Sequence, residues 1–164
     1  MAAVEFALTL PVLLFVFVGV TEVGEAVSIS RKVTITTRTV TDLVTQNSSL
    51  SASGLNTILA ASAQVIAPYS SSNLSVTVSE IQVDSKGKAT IAWSGSWPNS
   101  ANALTVGSTF ALPSALDTPS SYLVYGQTSY NYTPVLGYNM IGPITLSDHL
   151  YLSPRESTSI AYTN

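Results

Sequence analysis

The chain has 164 residues, of which only 9% are Asp, Glu, Lys or Arg, and it carries a formal charge of −3 and no Cys. Ordinary soluble domains are about 25% charged. So few cations exclude the basic face that nucleic acid requires, so no nucleic-acid partner is expected, and the missing Cys excludes disulfides, thiol catalysis and thiolate zinc sites. A length of this order holds one hydrophobic core plus a helical stalk.

The N-terminal stretch MAAVEFALTLPVLLFVFVGVTEVGEA is apolar apart from Glu5 until Glu22, and nothing from Phe6 to Val20 is charged. At ~1.5 Å per residue that run spans about 22 Å, short of a ~30 Å hydrocarbon core unless residues 1–4 also enter it. Glu5 then sits in or near lipid. An ionised side chain at the middle of a membrane helix costs roughly 2.5–3.5 kcal/mol, so an acid there usually has a partner. The nearest candidate is an α-amine. That of Met1 lies about 6 Å away along the helix axis, and in a staggered bundle of identical helices a neighbour's amine could reach Glu5 directly.

A small apolar N-terminus, Glu5, the aromatic Phe6 and a long apolar helix containing Pro11 resemble a mature type IV pilin or pseudopilin. More narrowly, AAVEFALTLPVLLFVFVGVTEVGEAV is similar to the TadE-like (pseudo)pilins of tight-adherence systems. LVYGQTSYNYTPVLGY and LYLSPRESTSIAY extend the resemblance toward the other end, where Arg155 stands in the family's closing Pro-Arg. The resemblance implies a leader removed by a prepilin peptidase, handling by pilus assembly machinery, an inner-membrane pool of subunits and an extracellular filament of this or other pilins. It implies assembly residues Met1, Glu5, Phe6, Pro11 and Arg155, and no cofactor. The chain shows no basic n-region before its apolar run, as expected if such a leader is gone.

Residues 1–47 are expected to form one helix, apolar over 1–21 and amphipathic over 22–47, followed by an α+β head over 48–164. Pro11 should kink the helix, which membrane helices tolerate. KVTITTRTVTD, residues 32–42, could pass for a strand by its β-branched content. Val33, Val40 and Val44 nevertheless recur at helical spacing and give one stripe to pack on the head. Residues 47–53 read as a break with Ser51 or Ser53 as an N-cap, and Leu55 to Ile66 as a second helix stopped by Pro68.

Strands follow. Leu74, Val76 and Val78 alternate with Ser and Thr, and the apolar phase then slips to Ile81 and Val83, which suggests a bulge near Glu80. A turn at 84–87 leads to Ala89, Ile91 and Trp93 on an antiparallel partner. Residues 98–119 form a connection with a helical turn at 113–116, and Tyr122 to Tyr132 form the longest strand. A turn at 137–143 precedes segments near 145–152 and 158–162, both expected to return antiparallel. The result is a roughly four-stranded antiparallel sheet with two helices on one face.

No catalytic constellation emerges, and an enzyme is not expected. His149 is the only histidine and follows Asp148, but adjacent strand residues point to opposite faces and cannot form a Ser-His-Asp relay. Arg155, the only Lys or Arg after Lys88, is expected to pair with Asp148, Glu156 or Asp117, or to bind a neighbouring subunit's end. The tyrosines of 122–151 are expected to line a sheet face that packs on a helix.

The functional expectation is a filament subunit that polymerises through its N-terminal helix and serves surface adhesion. A minor pseudopilin, a permanently anchored ectodomain that binds a partner and a secreted enzyme with a signal segment stay open as alternatives.

Overall fold

The computed structural model describes residues 2–134 and 142–163. One helix, α1, runs unbroken from Ala2 to Thr45. Pro11 lies inside it without interrupting it. Met1 and most of the turn expected at 137–143 lie outside the described residues.

The β-branched run does become helix, and its threonines show how. The hydroxyls of Thr36, Thr37 and Thr41 donate to the carbonyls of Lys32, Val33 and Thr37 at 2.9, 2.9 and 2.7 Å. Buried hydroxyls are thereby satisfied within the helix itself. Ile29, Val33, Val40 and Val44 are buried beside them. Each buried aliphatic contributes roughly 1.5–3 kcal/mol, whereas a β-branched residue costs at most about 0.7 kcal/mol against Ala, so packing overrides propensity.

After α1 come β1 (Ser49–Ser51) and α2 (Ala52–Ser62), which a 3₁₀ turn extends through Ile66. Ser51 caps α2 by accepting the Gly54 N–H at 3.1 Å. Then follow β2 (Leu74–Val83), β3 (Ala89–Trp97), β4 (Ser121–Tyr132), β5 (Ile144–Leu152) and β6 (Ala161–Thr163). Four strands form one antiparallel sheet in the order β3-β2-β4-β5, as expected of an α+β head. The 113–116 turn is a short 3₁₀ segment, Ser114–Leu116.

Two details differ from expectation. Residues 158–162 do not join the main sheet: β6 pairs in parallel with β1, Leu50 opposite Tyr162. The irregularity near Glu80 is present, but β2 keeps perfect step with β4, and the unpaired residue is Ala92 on β3. Ile81 then lies opposite Ile91, and Glu80 opposite Trp93. One inserted residue thus sends Ile91 and Trp93, two apart in sequence, to opposite faces.

Each face has its own core. On one, α1 and α2 cover Leu74, Val76, Val78, Trp93, Val124, Tyr130 and Tyr132. On the other, Phe110, Leu112 and Leu116 of the 98–119 connection cover Ile81, Val83, Ala89, Ile91, Leu123 and Tyr125. The apolar slip along β2 therefore reflects a sheet covered on both sides at one end. The tyrosines divide likewise: Tyr130 and Tyr132 pack under the helices, while Tyr125 and Tyr151 ring Phe110 at 5.1 and 6.4 Å.

Candidate assembly site

Among the described residues, the first half of α1 stands clear of the head, with none of its described side chains buried. From Ala2 to Thr21 the described side chains are exposed apart from half-buried Val18, and these include Glu5, Phe6 and Pro11. Thr9 donates its hydroxyl back to the Glu5 and Phe6 carbonyls at 3.0 and 3.2 Å, so even this polar residue asks nothing of its surroundings. The helix is long and apolar enough to cross a membrane.

Head contact begins at the expected water boundary. The Tyr132 hydroxyl, at the end of β4, reaches the Glu22 carbonyl and the Glu25 carboxylate, each at 3.4 Å. Burial, then the charges of Glu25 and Glu22, push the Tyr132 phenol above its ordinary pKa. From there to Thr45 one side of α1 is buried against β4 and β5.

The exposed side is mixed, with Ser28, Arg31, Thr34 and Arg38 alongside several aliphatic residues. Val23, Val27, Ile35 and Leu43 are exposed by 65%, 47%, 51% and 41%. They lie along one i, i+4 row with Arg31 and Thr39 between them, which winds round the helix so that Leu43 ends beside Leu150 and Leu152 of β5. Beside it Gly24, Ser28 and Lys32 form the floor of a shallow groove. Small side chains at 24 and 28 keep that groove open. Sequence reading missed this ridge because it sought the stripe facing the head; the four-residue spacing from Val23 to Val27 was its available signal.

Arg155 is tied to the far end of the same helix. Its guanidinium meets the Asp42 carboxylate at 2.6 Å, and its backbone N–H donates to the Thr45 carbonyl at 2.9 Å. The pairing is local in space, but the partner is Asp42, not Asp148, Glu156 or Asp117. Thirty-seven residues of helix, about 56 Å, separate Glu5 from Asp42, so the expected assembly residues do not converge. Glu5, Phe6 and Pro11 share the free half, and Arg155 closes the head.

Asp148 and His149 form no relay. The Asp148 carboxylate accepts the backbone N–H of His149 at 2.9 Å, while the imidazole lies out on the exposed face near Tyr125 and Tyr151.

Glu80 was not singled out by sequence, yet it is 2% exposed. Its Oε1 accepts the Ile160 N–H at 2.7 Å and its Oε2 the Trp93 indole N–H at 2.9 Å. Burial pushes its carboxyl above the ordinary carboxylate value, and those two donors oppose the shift. The signal was in the alternation: Leu74, Val76 and Val78 put position 80 in phase with the core.

A helix long and apolar enough to cross a membrane, whose second half walls an α+β head, gives the chain the build of a stalk and a head. Residues 1–41 match the family model of TadE-like protein. The matched segment is the stalk, with Glu5 and the exposed residues as far as Ile35, so the likeness to TadE-like proteins expected from the sequence is found over that part of the chain. No curated protein and no solved structure matches the chain.

Proposed function

We propose that the protein is a structural, non-enzymatic subunit of a tight-adherence filament, anchored in the inner membrane through residues 1–21 and then polymerised through α1 with other copies of itself. The observation that carries this reading is the exposed ridge Val23, Val27, Ile35 and Leu43. A span needs about 20 residues, so the ridge extends well beyond the bilayer. A solitary anchored ectodomain gains nothing from apolar side chains there. A neighbouring helix seated along α1 covers the membrane half and the Val23–Val27 part of this row, at roughly 25 cal/mol per Å² of apolar surface removed from water.

In the filament Glu5 meets the α-amine of an adjacent subunit, which sets the axial register and removes two unpaired charges from an apolar core. The heads face outward with their nearly uncharged, Ser- and Thr-rich surface, suited to adhesion.

The test is electron microscopy of sheared surface material, with mass spectrometry of the filaments, for the wild type and for Val27→Lys and Ile35→Glu. Wild-type filaments made of this chain, and their loss in both variants with the protein still folded in membranes, support the proposal. Filaments unaffected by either variant remove the ridge from the assembly. A chain retained in inner-membrane fractions without filaments points to a minor pseudopilin or an anchored ectodomain.

A further inference from the structure

Charge is scarce in this chain, yet of its six Lys and Arg and nine Asp and Glu residues, three of each fall between Glu22 and Asp42 on α1. Asp42 is engaged by Arg155, but Arg31, Lys32 and Arg38 have no acidic partner among the described residues. Glu22 is half-buried on the side of α1 that turns Ile29 and Val33 toward the sheet. Glu25 is exposed, and among the described residues its carboxylate accepts only the Tyr132 hydroxyl, at 3.4 Å. Arg31 is exposed one turn beyond Val27 and lines the same shallow groove of about 420 Å³ as Gly24, Val27, Ser28 and Ile35.

Within one helix Glu25 and Arg31 cannot meet. Six residues set them about 9 Å apart along the axis and about 120° apart around it, whereas helical partners stand three or four residues apart. A neighbour seated on Val23 and Val27 closes over Arg31 as well, and a guanidinium covered without a carboxylate is strongly unfavourable. The neighbour's own helix offers few acids in its aqueous half. Its Glu22 faces its head and its Asp42 is engaged, which leaves Glu25. The acids of the head lie off this surface. Glu80 is buried, Asp84 and Asp117 stand at the turn after β2, Asp148 is on β5, and Glu156 is in the strap of residues 153–163 that Arg155 fastens to α1.

The axial register agrees, on the filament reading that this inference rests on. When the amine of an upper copy meets Glu5 of the copy below, the upper helix stands four residues, about 6 Å, higher. Its Glu25 then comes level with residue 29 of the lower helix, about 3 Å short of Arg31 and within reach of the two long side chains. Arg38 lies nine residues, about 14 Å, beyond that level and is out of reach. Glu5 and Arg31 also lie within about 80° of each other around the helix, so that one neighbour meets both. We propose that Glu25 of each copy pairs with Arg31 of the copy below it, a second register contact placed in the aqueous half of the stalk.

The test is reciprocal charge reversal in the full chain, read as the amount of this chain in sheared filaments, with membrane insertion and melting of the head as controls. Glu25→Arg and Arg31→Glu should each lower filament yield about tenfold or more, since like charges then face each other, and the two together should restore most of it. Glu25→Arg with Arg38→Glu should restore nothing. Unchanged yield in either single variant, no rescue by the pair, or equal rescue through Arg38 overturns the contact and leaves a filament held by its apolar surfaces. Absence of wild-type filaments overturns the filament reading itself, and this contact with it. Where a reversed chain does not reach the membrane, cysteines decide, since the chain has none of its own. Glu25→Cys combined with Arg31→Cys should give a ladder of joined subunits with a short thiol cross-linker, which neither single variant gives, and its absence overturns the proposal.

Discussion

The hydroxyl of Thr41 on α1 occupies the space that a side chain on Gly126 of β4 would need. Helix and sheet approach this closely because one partner has no Cβ and the other turns its hydroxyl back to the Thr37 carbonyl. Gly126→Ala is therefore expected to destabilise the head by about 1–3 kcal/mol, the usual range for overpacking. Thr41→Ala in the same chain should recover part of that loss, because the two residues share one space. Chemical denaturation followed by tryptophan fluorescence checks both, and purely additive losses would contradict the clash.

Thr128, also on β4 beneath α1, is completely buried, and its Oγ1 has no hydrogen-bond partner among the described residues. An unsatisfied buried hydroxyl costs about 1–3 kcal/mol. Thr128→Val replaces it with a methyl of similar shape and is expected to raise stability by up to about that amount. A lower melting temperature for this variant would mean that the hydroxyl is satisfied in solution.

The Arg155 and Asp42 side chains are 56% and 33% exposed. Exposed ion pairs contribute about 0.2–1 kcal/mol and are screened by salt. A double-mutant cycle with Arg155→Ala and Asp42→Ala should give a coupling of that size, vanishing near 1 M salt. A larger, salt-independent coupling would show that the pair is far better shielded than its exposure indicates.

Glu5 makes no side-chain contact that the fold depends on, being exposed in the free half of α1. Glu5→Ala is accordingly expected to leave the head's melting temperature and the membrane association unchanged while strongly reducing filament incorporation. Fractionation and immunogold microscopy read the two effects separately. Normal filaments from this variant would rule out Glu5 as the register-setting residue.

What the sequence made legible follows from how local each cause is. α1 and the hairpin of β2 and β3 are written in short-range periodicity, and Ser51 announces its own cap. The pairing of β6 with β1 is not: a three-residue strand carries no mark of direction, and its partner lies more than a hundred residues away in the chain. The bulge does fall near Glu80, as expected, but its extra residue is on β3; the slip along β2 itself comes from a second apolar layer, brought in by Phe110, Leu112 and Leu116, on a strand that is regular against β4. Arg155 found Asp42 for the same non-local reason. Glu80 was within reach, since its phase with Val76 and Val78 outweighed the habit of assigning a Glu to solvent.

Because α1 is at once the stalk and a wall of the head, tension drawn along it has no hinge at which to stop. It enters the head between Ile29 and Val44, a stretch of about 24 Å over which buried side chains engage the sheet side by side. A pull along that axis loads these contacts together in shear and cannot peel them off one at a time. The strap adds a stitch at the helix end, where Arg155 grips both Asp42 and Thr45. The head is thereby mounted to be dragged lengthwise by its helix without coming off.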